Sequence, residues 1–518
     1  MVAATAPAQR GLGEAASDRA FFGHPRGLST LFFSEMWERF SYYGMRGFLI
    51  LYITAPVATG GLGLTPAIAG GIYGMYTSLV YLLSLPGGFI ADRLIGQRRA
   101  VLIGGILIAS GHYSLAVPAV ATFYLGLMLI VLGTGLLKPN ISVIVGQLYS
   151  QQDIRRDAGF SIFYQGINLG ATIGPLVTGY LAQSEGFRAR LTGWGLDPNS
   201  AWHWGFGAAG VGMTLGLLQY VLGGRTLGTA GLRPVQSGSS EAAAKLKRQA
   251  TVWLGGGLVA LAVLGIAIAA GVLPVRIEQI TGAYGYVLLA ITLAFFGWLF
   301  FLSEWTPVER SRLYVIAVYF VAATLFWSVF EQAGSTLNLF ARDSTDNAIF
   351  GVSFPSSWWQ SLNAVLIVLL APAFAWLWVA LGDRQPVRPA KFALGLVGVG
   401  IGFLVLIAGA QIAAAGVKVG IAWLFLVYLI HTLAELCLSP VGLSSMTKLA
   451  PTKIASVMMG VWFLGASMGN FLGGQAASFY GSMSLPRLLA VVAITPMLAG
   501  IVIFVLRRPL MRMQGGVS

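Results

Sequence analysis

The stretch LFFSEMWERFSYYGMRGFLILYI, residues 31–53, decides the fold of this chain. It is apolar and long enough to cross a bilayer as one helix, yet it carries six polar side chains. These are Glu35, Glu38, Arg39, Tyr42, Tyr43 and Arg46. At about 100° per residue they share one helical face, because all lie between about −60° and +80° of Glu35. A charge in mid-membrane costs roughly 2.5–3.5 kcal/mol, so this face is expected to line a polar cavity inside a helix bundle.

The composition of the whole chain agrees with a membrane protein. Its 518 residues have a mean hydropathy of +0.77, and 56% are hydrophobic while 10% are charged. The net charge of +14 lies in short loops between apolar spans and forms no basic domain, so nucleic-acid binding is not expected. The single cysteine, Cys437, and four scattered histidines do not form a metal-binding pattern. We therefore expect no metal and no cofactor.

The apolar segments predict fourteen membrane-spanning helices. They lie near 28–53, 68–91, 99–117, 120–148, 157–183, 203–223, 250–271, 282–303, 312–340, 357–381, 391–414, 421–447, 454–480 and 485–506. With alternating connections, 23 of the 32 lysines and arginines fall on one side, 6 on the other and 3 within spans. The positive-inside rule then places both termini in the cytoplasm.

A linker divides these spans into six and eight. Residues 224–249 are rich in Gly, Ser and basic residues. The two spans that follow, 250–271 and 282–303, have almost no polar residues in their middles and are interpreted as an inserted, lipid-facing hairpin. The predicted parts are a cytoplasmic segment (1–27), a six-helix bundle (28–223), linker and hairpin (224–311), a second six-helix bundle (312–507) and a cytoplasmic tail (508–518). The predicted fold class is therefore an all-α polytopic membrane protein.

Three further spans contain a charged residue: Lys138, Glu331 and Glu435. With those of residues 31–53, three positive charges face four negative ones inside the membrane. An unpaired carboxylate in a cavity of low dielectric tends to bind a proton, so this imbalance predicts a proton-binding carboxyl group. The alternative is that all seven charges form static pairs that lock helices together.

Other polar or aromatic side chains in the spans are candidates for contact with a ligand. They are Tyr81, Asn168, Trp327, Asn363, Ser439 and Trp462. A buried asparagine in a membrane either holds a ligand or ties helices together, and both alternatives stay open for Asn168 and Asn363. For a single Trp or Tyr, packing or anchoring at the membrane interface is the simpler explanation.

Several of these segments resemble one known family. The run Glu35 to Tyr43, EMWERFSYY, closely resembles the ExxERFxYY signature of the proton-coupled oligopeptide transporter family within the major facilitator superfamily. The loop GGFIADRLIGQRR (87–99) is similar to the cytoplasmic loop motif of that superfamily. Three more segments, FSIFYQGINLG (160–170), FWSVFEQAGS (326–335) and ELCLSPVGLS (435–444), are similar to further family signatures. The resemblance extends from about residue 28 to 506.

The resemblance implies a major facilitator fold of six plus six helices with an extra hairpin, and a role for each motif residue. It implies that Glu35, Glu38, Arg39 and Glu331 couple protons. It implies that Arg46 pairs with Glu331, and Lys138 with Glu435, as gates. The residues that it implies for substrate binding are Tyr42, Tyr43, Arg46, Tyr81, Lys138, Asn168, Trp327, Asn363, Glu435, Ser439 and Trp462. Animal members carry a histidine in the second helix, and this chain has none from Gly74 to Tyr76, so carboxylates must handle the protons.

The expected function is proton-driven symport of di- and tripeptides by alternating access across a bacterial cytoplasmic (inner) membrane, by a monomer. The alternative is a related proton-coupled carrier of nitrate, drugs or another small charged solute. A membrane enzyme is disfavoured, because the chain has no HExxH spacing, no nucleophile with a paired base and no nucleotide-binding loop. A sensor is disfavoured, because no loop is long enough for a signalling domain.

Overall fold

The computed structural model describes residues 18–150, 152–232, 234, 240–269, 271–451 and 454–515. Most of the predicted cytoplasmic segment, parts of the linker and the end of the tail lie outside the described residues. Within these ranges the chain is helical apart from loops and one short antiparallel hairpin, β1 (Ala348–Ile349) with β2 (Val352–Ser353).

The helices before the linker are α1 (Arg26–Thr54), α2 (Pro66–Leu82), α3 (Ser84–Ile90), α4 (Gln97–Leu115), α5 (Val120–Gln147), α6 (Arg156–Gln183), α7 (Glu185–Gly193) and α8 (Ala201–Leu222). The two spans of the predicted hairpin correspond to α9 (Ser240–Ala269) and α10 (Ile277–Phe301). The remaining helices are α11 (Pro307–Phe330), α12 (Thr336–Asp343), α13 (Trp359–Leu381), α14 (Arg388–Ala414), α15 (Ala422–Leu449), α16 (Ala455–Ala477), α17 (Leu485–Val505) and α18 (Arg507–Met513).

Twelve of the fourteen predicted spans each coincide with one described helix, and the other two each coincide with two successive helices. Ten helical segments of the described residues are long and apolar enough to cross a membrane. The other four predicted spans coincide with α1, α4, α6 and α9. Helix α1 carries its four charges near the middle, which is why hydropathy alone does not select it. The all-α membrane fold is thus confirmed.

Two predicted spans are broken in the structure. The second span consists of α2, then α3, which a π-helical turn at Ala91–Ile95 extends. The ninth span is interrupted by a 3₁₀ turn, Glu331–Gly334, between α11 and α12. This turn ends at Gly334 and is followed by Ser335, and both residues favour a turn over a continuous α-helix. The break places Glu331 at a helix end.

The chain forms two compact units, each built from separate segments. The first unit comprises Met1–Tyr42, Leu83–Gly170 and Phe206–Ile280, and the second comprises Tyr43–Leu82, Ala171–Gly205 and Thr281–Ser518. Helices α1, α6, α8 and α10 therefore contribute residues to both units. In α1 the division falls between Tyr42 and Tyr43, so Glu35, Glu38 and Arg39 belong to the first unit.

The first unit has its core between α1, α4, α5 and α8. The buried residues Leu137, Ile141 and Ile144 of α5, with Leu148 directly after its end, recur every three or four positions and so form one apolar stripe. Gln97, the first residue of α4, donates a hydrogen bond to Asp92 of the preceding π-helical turn at 2.7 Å. The next residue, Arg98, donates to the carbonyl oxygens of Ala230 at 2.6 Å and Gly228 at 2.7 Å. Arg98, in the loop 87–99 that resembles the superfamily motif, is thus hydrogen-bonded to the start of the linker.

The second unit has a larger core, and α14 shows how the sequence builds it. Its fully buried residues Phe392, Leu396, Val399, Phe403 and Leu406 follow helical spacing along one face. Helix α11 begins with a capping box, in which the Thr306 side chain accepts from the Glu309 backbone and the Glu309 side chain accepts from the Thr306 backbone.

The second helix of the predicted hairpin packs against the protein along one face, while most of its side chains are exposed. In α10 the residues Thr281, Leu288, Thr292 and Leu299 are buried, at spacings of seven, four and seven. The Tyr284 hydroxyl also lies 2.6 Å from Ser78 Oγ of α2. Ser78 in turn lies 2.8 Å from Ser467 Oγ of α16. Helix α10 is therefore fixed to α2 by hydrogen bonding, and only its other faces are exposed.

Candidate functional site

In the first unit, α1 holds a buried cluster of two carboxylates and one arginine. Arg39 Nε lies 3.0 Å from Glu35 Oε1, one helical turn away, and it also forms an ion pair with Glu38. The three side chains are almost inaccessible, since Glu35 and Arg39 are each 3% exposed and Glu38 is 0% exposed. Removing one partner from a buried pair costs about 3–5 kcal/mol, so each of these charges depends on the others.

Lys138 of α5 supplies the second positive charge of this cluster. Its ammonium interacts electrostatically with both Glu35 and Glu38. The next residue, Pro139, lacks a backbone N–H, and the Asn140 side chain donates to the Leu136 carbonyl oxygen of its own helix at 2.7 Å.

Two more predicted site residues of the first unit lie on α1 and α6. The Arg39 guanidinium lies 5.5 Å from the centre of the Tyr42 ring, within range of a cation–π interaction. Asn168 is buried, and its amide donates to the Tyr164 carbonyl oxygen of the same helix at 3.1 Å. That bond is made to a backbone carbonyl oxygen of its own helix. Contact of Asn168 with a ligand stays a prediction.

In the second unit, Arg46 and Glu331 form a buried ion pair. The side chains are in direct contact, and the residues are 5% and 6% exposed. Arg46 Nη2 also lies 3.4 Å from the Glu331 carbonyl oxygen. The contact predicted from the resemblance is therefore present, and it joins α1 to the 3₁₀ turn after α11. Asn338 of α12 adds a second link to α1, donating to the Gly47 carbonyl oxygen at 2.7 Å.

A tyrosine that the sequence did not single out completes this pair. Arg46 Nε donates to the Tyr73 hydroxyl at 2.7 Å, and the guanidinium also lies 6.0 Å from the Tyr73 ring centre and 5.8 Å from that of Tyr43. A side chain at Gly334 would collide with the Tyr73 hydroxyl. One donor of Arg46 is thus held by a neutral acceptor, while another faces Glu331.

Close packing of α2 on α16 positions Tyr73. A Cβ at Gly74 would lie 2.7 Å from Gly474 Cα, and one at Gly70 would lie 2.7 Å from the Gly474 carbonyl oxygen. The spacing Gly70-x-x-x-Gly74 is typical of membrane helices whose backbones approach each other. This spacing is the signal that could have pointed to Tyr73, since the residue lies between the two glycines.

The Glu435 carboxylate lies in a different setting from the other intramembrane acids. Its Oε2 accepts from the Asn363 amide at 3.1 Å, and the same amide nitrogen donates to Thr432 Oγ1 at 3.0 Å. Among the described residues of the second unit, Glu435 forms no ion pair. It interacts electrostatically with Glu331, a charge of like sign. The contact of Asn363 with Glu435 brings together two residues that the sequence named separately.

Aromatic side chains of the second unit pack against one another. The rings of Trp327 and Trp462 are 6.5 Å apart and nearly perpendicular, and Trp327 also meets Phe330 at 5.5 Å. Tyr81 and Ser439 are partly exposed on α2 and α15. Their contact with a ligand stays a prediction, as does the pairing of Lys138 with Glu435.

The charge balance differs between the two units. Of the seven intramembrane charges, the first unit contains two carboxylates with Arg39 and Lys138, which balance. The second unit contains Glu331 and Glu435 with Arg46 alone, so one negative charge remains. Because Arg46 contacts Glu331, the excess charge falls on Glu435. Which carboxyl group binds a proton stays a prediction.

The apolar helices and the buried ion pairs of the described residues define an integral membrane protein. Residues 98–490 match the sequence profile of the POT family. The peptide transporter YePEPT of Yersinia enterocolitica is 40% identical over 510 residues, 96% of each chain. The di-/tripeptide transporter of Lactococcus lactis subsp. cremoris is 36% identical over 510 residues, 97% of this chain and 99% of that one.

Solved structures give the same result. A crystal structure of a peptide transporter POT in complex with sulfate has a TM-score of 0.89 and 39% identity, covering 98% of this chain and 99% of that chain. A POT family transporter in complex with 5-aminolevulinic acid has a TM-score of 0.85 and 32% identity, covering 95% and 98%. The chain belongs to the POT family, and the family resemblance seen in the sequence is confirmed.

Proposed function

We propose that this chain takes up di- and tripeptides together with protons, as a secondary active transporter that works by alternating access. The single observation that supports this most is the buried Arg46–Glu331 pair beside an uncompensated Glu435. The names of the relatives, peptide transporter and di-/tripeptide transporter, support the substrate class.

A short peptide carries one positive and one negative end, and the proposed binding residues include charges of both signs. Arg46 and Lys138 are cations suited to a peptide carboxylate, and Glu435 with Asn363 offers acceptors suited to a protonated amino terminus. Peptide side chains vary, so affinity must come from these constant ends and the peptide backbone. Tyr42, Tyr43, Tyr81 and Asn168 would contact that backbone, and Trp327, Ser439 and Trp462 would surround the side chains.

Proton coupling follows from competition for Arg46. A proton on Glu331 removes the carboxylate charge that holds Arg46, and the guanidinium can then bind the substrate carboxylate. Glu35 and Glu38 share Arg39 and Lys138, so a proton on either carboxyl group leaves the other paired. Each ion pair belongs to one conformation, and an acidic exterior therefore drives peptide inward.

The proposed setting is the cytoplasmic membrane of a bacterium, with both termini in the cytoplasm and a monomer as the working unit. The distribution of lysine and arginine supports this orientation. The proposed division is six helices in 28–223, linker and hairpin in 224–311, and six helices in 312–507, with 1–27 and 508–518 as cytoplasmic ends.

Uptake into liposomes tests the proposal. Purified protein reconstituted with an acidic exterior should accumulate labelled dialanine, and dissipating the gradient with a protonophore should stop it. Unlabelled tripeptide should compete, whereas nitrate should not. A second candidate is uptake of another small zwitterion, favoured by the related transporter solved with 5-aminolevulinic acid. Competition by that compound but by no dipeptide would favour the second candidate.

A further inference from the structure

The Thr432 hydroxyl controls which way the Asn363 amide faces. Thr432 is 0% exposed on α15, and its hydroxyl donates to the Tyr428 carbonyl oxygen at 2.8 Å, one turn earlier. With its only hydrogen used, the hydroxyl oxygen can meet Asn363 only as an acceptor. The Asn363 nitrogen, at 3.0 Å, supplies the required N–H.

The same amide nitrogen also holds Glu435. Its second N–H donates to Glu435 Oε2, with 3.1 Å between nitrogen and oxygen, so both N–H groups of Asn363 are already hydrogen-bonded. A flipped amide would place its oxygen against the Thr432 oxygen and a carboxylate oxygen, which repel it. Thr432 therefore disfavours the flipped orientation even when the Glu435 charge changes.

We propose that Thr432 is a positioning residue, which fixes Asn363 and Glu435 as a subsite made only of hydrogen-bond acceptors and so selects substrates with a protonated amine. The groups left for a ligand are the Asn363 oxygen and the Glu435 carboxylate, and both of them attract a donor-rich cation. An acylated amine has no charge and a single N–H, so it satisfies this subsite poorly. This inference rests on the proposed function and adds that Thr432 fixes the groups that bind the amino end of the substrate.

Two substitutions at one position separate this role from packing. Thr432→Val keeps the size of the side chain and removes the hydroxyl, and Thr432→Ser keeps the hydroxyl. In proteoliposomes, Thr432→Val should raise the KM for dialanine about tenfold, the effect of one net hydrogen bond, with an unchanged maximal rate. It should also reduce the preference for dialanine over N-acetyl-dialanine, and Thr432→Ser should restore both values.

Thr324→Val is the matched control, since Thr324 is a buried threonine of α11 in the same unit. It should leave the preference for the free amine unchanged. The proposal is overturned if Thr432→Val keeps the wild-type preference, if Thr432→Ser does not restore it, or if Thr324→Val reduces it equally. Failure of the wild-type protein to take up any dipeptide would instead contradict the proposed function.

A second measurement tests the positioning role without any substrate. The bond between Thr432 and Asn363 exists in the protein alone, so their contributions to thermal stability should be coupled. Unfolding of the full chain in detergent should be compared for Thr432→Val, Asn363→Ala and the double variant. A stability loss in the double variant that is smaller than the sum of the two single losses supports the bond. A loss in the double variant equal to that sum would overturn the proposal.

Discussion

Replacing Glu331 with glutamine should separate substrate exchange from proton-driven uptake. Glutamine keeps the shape of the side chain and one oxygen acceptor for Arg46, but it can neither bind nor release a proton. Exchange of labelled for unlabelled peptide needs no net proton movement, so Glu331→Gln should still exchange dialanine across the liposome membrane. Accumulation driven by an acidic exterior should fall to the level of empty liposomes.

The structure also gives the size of the stability change. Removing a partner from a buried ion pair costs about 3–5 kcal/mol. Arg46 keeps its hydrogen bond to Tyr73 and its contact with the main chain of residue 331, and the new amide oxygen still accepts from it. We therefore expect a loss of about 2 kcal/mol in the free energy of unfolding, the difference between a charged and a neutral acceptor.

The assay uses parallel proteoliposome preparations that differ only in the protein. Glu304→Gln is the matched control, because Glu304 is an exposed acid outside the spans, and it should behave as wild type in both modes. Full gradient-driven accumulation by Glu331→Gln would refute the assignment of Glu331 as a coupling carboxylate. Loss of exchange together with accumulation would also refute it, since Glu331 would then serve substrate binding or folding.

Three further substitutions test the surroundings of this pair. Tyr73→Phe removes the acceptor of Arg46 Nε and should raise the KM for dialanine at least about tenfold, measured in exchange mode, because a bond to a charged group contributes about 1.5–3 kcal/mol. Gly474→Ala places a Cβ into the backbone of α2 and should lower the free energy of unfolding by about 1–3 kcal/mol, measured by thermal denaturation. Tyr284→Phe removes the hydroxyl that joins α10 to α2 and should lower the free energy of unfolding by about 1 kcal/mol in the same assay.

Each of these variants has a control in the chain. Tyr286 is 78% exposed on the same helix as Tyr284, so Tyr286→Phe should leave stability unchanged. A Cβ at Gly420 would meet open space, so Gly420→Ala should be neutral. Equal stability losses in a variant and its control would contradict the packing described for α10 or for α2. A wild-type KM in Tyr73→Phe would show that Arg46 does not depend on its tyrosine partner.

In α1, helical periodicity alone predicted which charged residues lie together. Counting about 100° per residue put Glu35, Glu38 and Arg39 on one face, and the structure joins them in ion pairs. Charge counting likewise predicted one surplus carboxylate. It could not say which one, because assigning it required knowing that Arg46 contacts Glu331 and that Asn363 contacts Glu435, contacts between residues far apart in the chain.

Features that depend on tertiary contacts were missed. Tyr73 looks like any tyrosine in an apolar helix until the close approach of α2 to α16 directs it toward Arg46. In the sequence of α10, only two threonines and a tyrosine among apolar residues distinguish the packed face. Hydropathy therefore did not distinguish this face of the helix from its lipid-facing surface. The break after Glu331 was missed because an apolar span of suitable length was interpreted as one helix, although Gly334 and Ser335 follow it.

Proton movement caused by peptide is the most direct test of the central claim. Proteoliposomes containing a pH-sensitive dye should be prepared at equal pH on both sides and then given dialanine outside. If peptide and protons enter together, the interior should acidify on addition of dialanine, and Glu331→Gln should abolish that change. Uptake of labelled dialanine without any acidification of the interior would contradict the account.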